Sequence, residues 1–137
     1  MNNMLSKMLQ KLELESLEKV NPPPYTDWLS RHTKVNGAPM SFSNHHFQRA
    51  ILNDLHPNMD VIKCSQTGVT EIQYRKALAI ARRNQGRVVM FTLPDEDMRK
   101  RLVQTRVHPL VTDTPQFSVD GFDKPVRSIE TVQIGRS

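Results

Sequence analysis

The amino-acid sequence predicts an α/β domain: a βαβ unit with a parallel sheet, preceded by an N-terminal helical segment. Three observations carry this reading. Residues 59–62 (MDVI) are a short β-type run, residues 71–83 (EIQYRKALAIARR) favour a helix, and residues 88–93 (VVMFTL) are the continuous apolar run expected of a strand buried on both faces. Strand, helix and strand in that order imply parallel pairing through a right-handed crossover. A phosphate site in such a sheet lies at the carboxyl ends of the strands, where residues 63–70 fall. The chain divides into an amphipathic helix at 1–20, a linker at 21–39 and the α/β part at 40–137.

Taken in order, residues 4–19 are rich in leucine, methionine, lysine and glutamate, with Leu5, Met8, Leu9 and Leu12 on one stripe. That amphipathic helix either folds back on its own domain or docks on another protein. The run NPPP at 21–24 ends it, because proline removes a backbone donor and restricts the residue before it. Residues 25–34 read as a brief helix with Trp28 and Leu29 inward, and residues 35–39 (VNGAP) as a turn. Ser43 or Asn44 is the expected cap of a helix over HHFQRAILNDL, with Phe47, Ile51 and Leu55 in register and His56-Pro57 as its stop. His45 and His46 carry no metal reading, since adjacent helical residues point about 100° apart and no cysteine or carboxylate sits at ligand spacing.

The next helix is expected to begin after Thr70, with Tyr74, Ala77, Leu78 and Ala81 facing the sheet and Arg75, Lys76, Arg82 and Arg83 off that stripe. Gly86 closes it. Pro94 then starts a helix whose positive end is complemented by Asp95, Glu96 and Asp97. Arg99, Lys100, Arg101 and Arg106 follow, a basic face for DNA or a solvated one. Beyond Phe117 the sequence predicts a turn at Asp120-Gly121 and a strand near residues 129–134.

Between the first predicted strand and its helix stands KCSQTGVT, residues 63–70. Against the phosphate-loop pattern G-x-x-x-x-G-K-[ST], Gly68 is the second glycine and Thr70 the hydroxyl residue, but Lys63 holds the first glycine position and Val69 the usual lysine position. Two readings stand. In one, Gly68 is a turn glycine, Lys63 a solvated strand end, and nothing binds. In the other, the long stem of Lys63 reaches back over the loop to the β and γ phosphates.

KCSQTGVTE resembles the deviant, early-lysine Walker A of the lambda-type large terminase subunits, the ATPases of phage DNA-packaging motors. Upstream, FSNHHFQRAILNDLHPNMDVI is similar to the aromatic and glutamine segment before that loop, and downstream RVVMFTLPDEDMRKRLVQTRVHPLVTDTPQF is similar to the family's second strand and following helix. The resemblance covers residues 39–137 and implies part of a P-loop NTPase fold that binds ATP and magnesium. It implies a site of Lys63, Ser65, Gln66, Thr67, Gly68, Val69 and Thr70, with the Thr70 hydroxyl on the metal, and Gln48 reading the adenine edge. The alternative for Gln48 is a solvent-facing side chain beside Phe47.

The implied partners are double-stranded DNA, the small terminase subunit and the portal or other motor subunits, in an oligomer assembled in the host cytoplasm. VVMFTLPDED is not a Walker B strand, because two residues and a proline carry Asp95 into the start of a helix instead of a strand tip. No strand ending in paired acids follows, nor the clustered carboxylates of a two-metal nuclease. The resemblance therefore implies the ATP-binding N-terminal part of a large subunit. A non-catalytic phage protein of the same fold, binding motor components or DNA, is the alternative; an unrelated α/β domain with an accidental glycine loop is a third.

Composition agrees with a polyanionic partner without naming one: 19 Lys and Arg against 14 Asp and Glu give a net charge of +5. The single cysteine, Cys64, excludes an internal disulfide and suits a reducing compartment. No apolar run approaches the length of a membrane span.

Overall fold

The computed structural model describes residues 2–84 and 87–117. Helix α1 (Asn2–Val20) is followed by α2 (Tyr25–His32), a hairpin of β1 (Lys34–Val35) and β2 (Ala38–Pro39), α3 (His46–Asn53) and α4 (Val69–Arg83). Then come α5 (Glu96–Leu102), a π-helical turn (Val103–Val107), α6 (His108–Asp113) and a closing 3-10 turn (Pro115–Phe117).

Leucine-rich α1 forms as its spacing predicts, yet Leu5, Met8, Leu9 and Leu12 are all exposed, as are Leu14 and Leu17. Its last turn closes with Asn21 N–H donating to the Leu17 carbonyl at 2.9 Å, and the prolines prevent continuation. Helix α2 buries Trp28 and Leu29 as expected and ends where the Thr33 N–H and hydroxyl both donate to the Leu29 carbonyl, at 2.9 and 2.7 Å. The predicted turn at VNGAP is the tip of an antiparallel hairpin, with Lys34 opposite Pro39 and Val35 opposite Ala38. Asn36 (φ 52°) and Gly37 (φ 81°) both take the left-handed conformation, which an Asn-Gly pair supplies at low cost in a two-residue hairpin loop.

The expected parallel sheet does not form. Residues 59–62 and 88–93 are extended but unpaired, and the hairpin is the one sheet among the described residues. The predicted strands are also solvent-facing, with Ile62 at 103%, Val88 at 94% and Met90 at 84% exposure. An apolar run becomes a strand only when a neighbour takes up its N–H and C=O groups and covers its side chains. Neither run finds that neighbour among the described residues, so of the expected βαβ unit only the helix is built. The predicted turn at Asp120-Gly121, the strand at 129–134 and the Gly86 closure lie outside the described residues.

The core is instead a layer of helices. Leu29 of α2, Leu52 of α3, Ile72 and Ala79 of α4, Val111 of α6 and Phe117 each keep at most 1% of their surface exposed and belong to one cluster. Thr26 pins α2 to α3, its N–H and hydroxyl both meeting Asn53 Oδ1, at 3.2 and 3.3 Å. Two faces differ from the expected ones. In α3 the buried residues are Gln48 and Leu52, while Phe47, and Leu55 beyond the helix end, face solvent, and the cap position is His45 instead of Ser43 or Asn44. In α4, which begins at Val69, the most buried side chains are Val69, Ile72, Tyr74, Arg75 and Ala79. Arg75 tolerates burial because Glu71 takes its charge at 2.7 Å and the Lys34 carbonyl accepts from Nη2 at 3.2 Å.

From α5 onward the chain runs helically to Asp113. Asp95 is the N-cap of α5, accepting from the Asp97 and Met98 N–H groups. Pro109 has no N–H to offer the carbonyl four residues earlier, and the turn before it widens to a π-helix in which the His108 N–H donates to the Val103 carbonyl.

Candidate phosphate-binding loop

Residues 63–70 connect an extended segment to the N-terminus of α4, the longest described helix of the core at 15 residues. Gln66 (φ 59°) and Gly68 (φ 73°) are both left-handed, which curls the loop back on itself. Alternation of right- and left-handed residues turns successive N–H groups toward one concavity, the geometry of an anion nest. The first bond of α4 is Ile72 N–H to the Gly68 carbonyl at 3.2 Å, so the N–H groups of Val69, Thr70 and Glu71 precede the helical ladder. Gly68 occupies the N-cap position and has no side chain to cap them. The positive end of the α4 dipole therefore opens on the loop.

The sequence-predicted residues gather here with different roles. Lys63 is exposed and its ammonium donates to the Cys64 carbonyl at 3.3 Å, bending over its own loop. Ser65 and Gln66 are exposed, and Thr67 and Thr70 are half-buried. Thr67 Oγ1 closes the loop by donating to the Cys64 carbonyl at 3.3 Å. Val69 points its side chain into the protein, leaving only its backbone for a ligand.

Gln48 is not solvent-facing. It is 7% exposed, and its Nε2 donates to the Thr67 carbonyl at 2.9 Å, so α3 holds the loop in place. The same nitrogen lies 2.8 Å from where a Cβ on residue 68 would sit. Glycine suits position 68 for its left-handed backbone, and a Cβ there would make the Gln48 amide shift from its place beside the Thr67 carbonyl.

The carboxylate nearest the loop in sequence, Glu71, is already engaged. It pairs with Arg75 at 2.7 Å and, more loosely, with Arg106 at 3.7 Å. Burial, and then the Glu71 carboxylate, push the neighbouring Tyr74 hydroxyl well above its usual range, so it stays a neutral donor. This cluster was missed in the sequence; its one legible sign was the Glu71 to Arg75 spacing of four. Lys76, expected off the sheet-facing stripe, is not left to solvent. Its ammonium instead donates to the Ile51 and Asp54 carbonyls at 3.0 and 2.7 Å, fastening α4 to the C-terminal end of α3. Burial lowers its pKa, partly offset by Asp54.

Alongside α4 runs a groove of about 430 Å³ between Thr70, Gln73, Lys76, Ala77 and Ile80 on one wall and residues 89–93 on the other. Asp95 and Glu96, beyond that segment, are tied up in their own helix, the first as its cap and the second in an ion pair with Lys100 at 2.7 Å. Among the described residues no group of three His, Cys, Asp or Glu is placed to hold a metal ion, and no helix is long and apolar enough to cross a membrane. Comparison with protein-family models, curated proteins and solved structures gives no match for this chain.

Proposed function

We propose that residues 63–70 bind the phosphates of ATP, and that the chain is the ATP-binding portion of a phage large terminase subunit acting in the host cytoplasm. The observation that supports the binding site is the curled loop, with left-handed Gln66 and Gly68, set before the uncapped N-terminus of α4. In this reading the loop N–H groups receive the phosphate oxygens. Lys63 gives up its contact with the Cys64 carbonyl to meet the β and γ phosphates. Thr70 would supply a hydroxyl to magnesium, which when bound would screen the phosphate charge. Val69 contributes its N–H alone, and Gln48 keeps the cradle in shape through Thr67.

The motor assignment rests on the resemblance of residues 39–137 to the lambda-type terminases. Double-stranded DNA and the other motor subunits are the partners it implies. Hydrolysis needs an acid to help hold magnesium and a group to orient water. Asp95, Glu96 and Glu71 are committed elsewhere, so the reading assigns these three no part in turnover.

Isothermal calorimetry with magnesium and ATP tests it. Lys63→Ala should weaken binding by about one to two orders of magnitude, the equivalent of a charge-assisted contact of roughly 1.5 to 3 kcal/mol. Equal affinity of the two forms would remove the early-lysine site.

A further inference from the structure

One arginine beside the loop is surplus to its ion pair. Glu71, in the first turn of α4, lends its Oε1 to Arg75 twice, to Nε at 2.8 Å and to Nη2 at 2.7 Å. Arg75 is buried and also donates to the Lys34 carbonyl, so this pair is fixed. Arg106 meets the other oxygen, Oε2, at 3.7 Å, and its side chain is 61% exposed. One carboxylate thus faces two guanidiniums, and the cluster keeps a positive charge. An exposed pair at that distance contributes little, so Arg106 leaves it at small cost.

The cluster lies at the mouth of the loop. Glu71 is three residues from Gly68, about 4.5 Å along the helix axis, and helical side chains lean toward the N-terminus, which brings its carboxylate nearer still. The segment that carries Arg106 comes to the same end of α4: Leu93, just ahead of α5, lines the groove together with Thr70. Arg106 itself belongs to the π-helical turn Val103–Val107, a rare form of helix that gathers at functional sites. Val107 beside it is buried in the core, so the side chain swings while its backbone stays.

We infer that Arg106 is a phosphate ligand held in reserve: when a polyphosphate occupies the loop, its guanidinium leaves Glu71 Oε2 and grips the phosphate oxygens. Glu71 keeps Arg75, so the exchange orphans no buried charge. Lys63 closes on the anion from the front of the loop and Arg106 from the side of α4, where the forked donors of arginine suit phosphate oxygens. This role rests on the loop binding phosphate, as proposed above.

Calorimetry on the full chain tests it, with ATP and inorganic tripolyphosphate, each with magnesium, as the probes. Arg106→Ala should weaken both about tenfold, because the contact is to phosphate and not to a base. Arg106→Lys, which keeps the charge but not the fork, should lose less. Arg101→Ala, which removes an exposed charge from α5, should change either affinity by no more than about twofold. Wild type and Arg106→Ala binding both probes equally overturns the role and leaves the loop site standing. An equal loss from Arg101→Ala, or a loss confined to ATP, overturns it too. A melting temperature lowered by more than a few degrees in Arg106→Ala would make the residue a structural prop instead. A wild-type chain that binds neither probe removes the loop reading itself, and this role with it.

Discussion

Helices α1 and α4 show the same kind of apolar spacing and meet opposite fates. In α4, Ile72, Tyr74 and Ala79 are buried against α2, α3 and the Phe117 turn. In α1, Leu5, Leu9 and Leu12 remain about three-fifths exposed. The difference is not in the helices. Lys76 fastens α4 to the end of α3 and Arg75 fastens it to the hairpin, while α1 is followed at once by three prolines that carry the chain away. Amphipathic spacing states that a face needs cover; the anchors at the helix's sides decide what provides it.

The comparison can be broken from the α4 side with the largest effect. Ile72→Ala removes a fully buried side chain at the centre of the core and should cost about 2–5 kcal/mol in urea unfolding. A loss under roughly 1 kcal/mol would mean that the core does not depend on α4. Next comes Gly68→Ala, which strains a left-handed backbone and drives a Cβ onto Gln48; about 1–3 kcal/mol is expected. Because part of that cost is the collision, adding Gln48→Ala should recover some of it, and strictly additive losses would disprove the contact. Gln48→Ala alone should weaken ATP and GTP together, since the amide holds the loop; a selective loss of ATP would make it a base reader after all. The smallest effect belongs to α1: deleting residues 1–20 should leave the melting temperature within a few degrees. A large drop would mean that α1 has a place in the core.

Much of the local structure was legible because it is set by local chemistry. Prolines end α1, Asn-Gly turns the hairpin, and the acidic run 95–97 stands at the start of α5. The glycine loop and its helix were legible for the same reason. The fold class was not. Residues 59–62 and 88–93 carry every mark of strands except a partner, and a partner is a property of the whole chain. Polar residues misled in the other direction. Gln48 and Arg75 look like surface residues in sequence, yet a carbonyl at Thr67 and a carboxylate at Glu71 make their burial tolerable. With Gln48 inward, Phe47 is turned to solvent, where its size would not have placed it.

Trp28 gives the molecule a built-in optical gauge. It is the sole tryptophan, nearly fully buried, with the His32 ring 4.9 Å and the Phe117 ring 5.8 Å away. Its emission reports the joint between the first core helix and the last described turn, and nothing of α1. Excited at the red edge of its band, the native chain should fluoresce at short wavelength and shift to longer wavelength only when that joint parts. Loss of α1 helicity should pass unseen by fluorescence while circular dichroism records it.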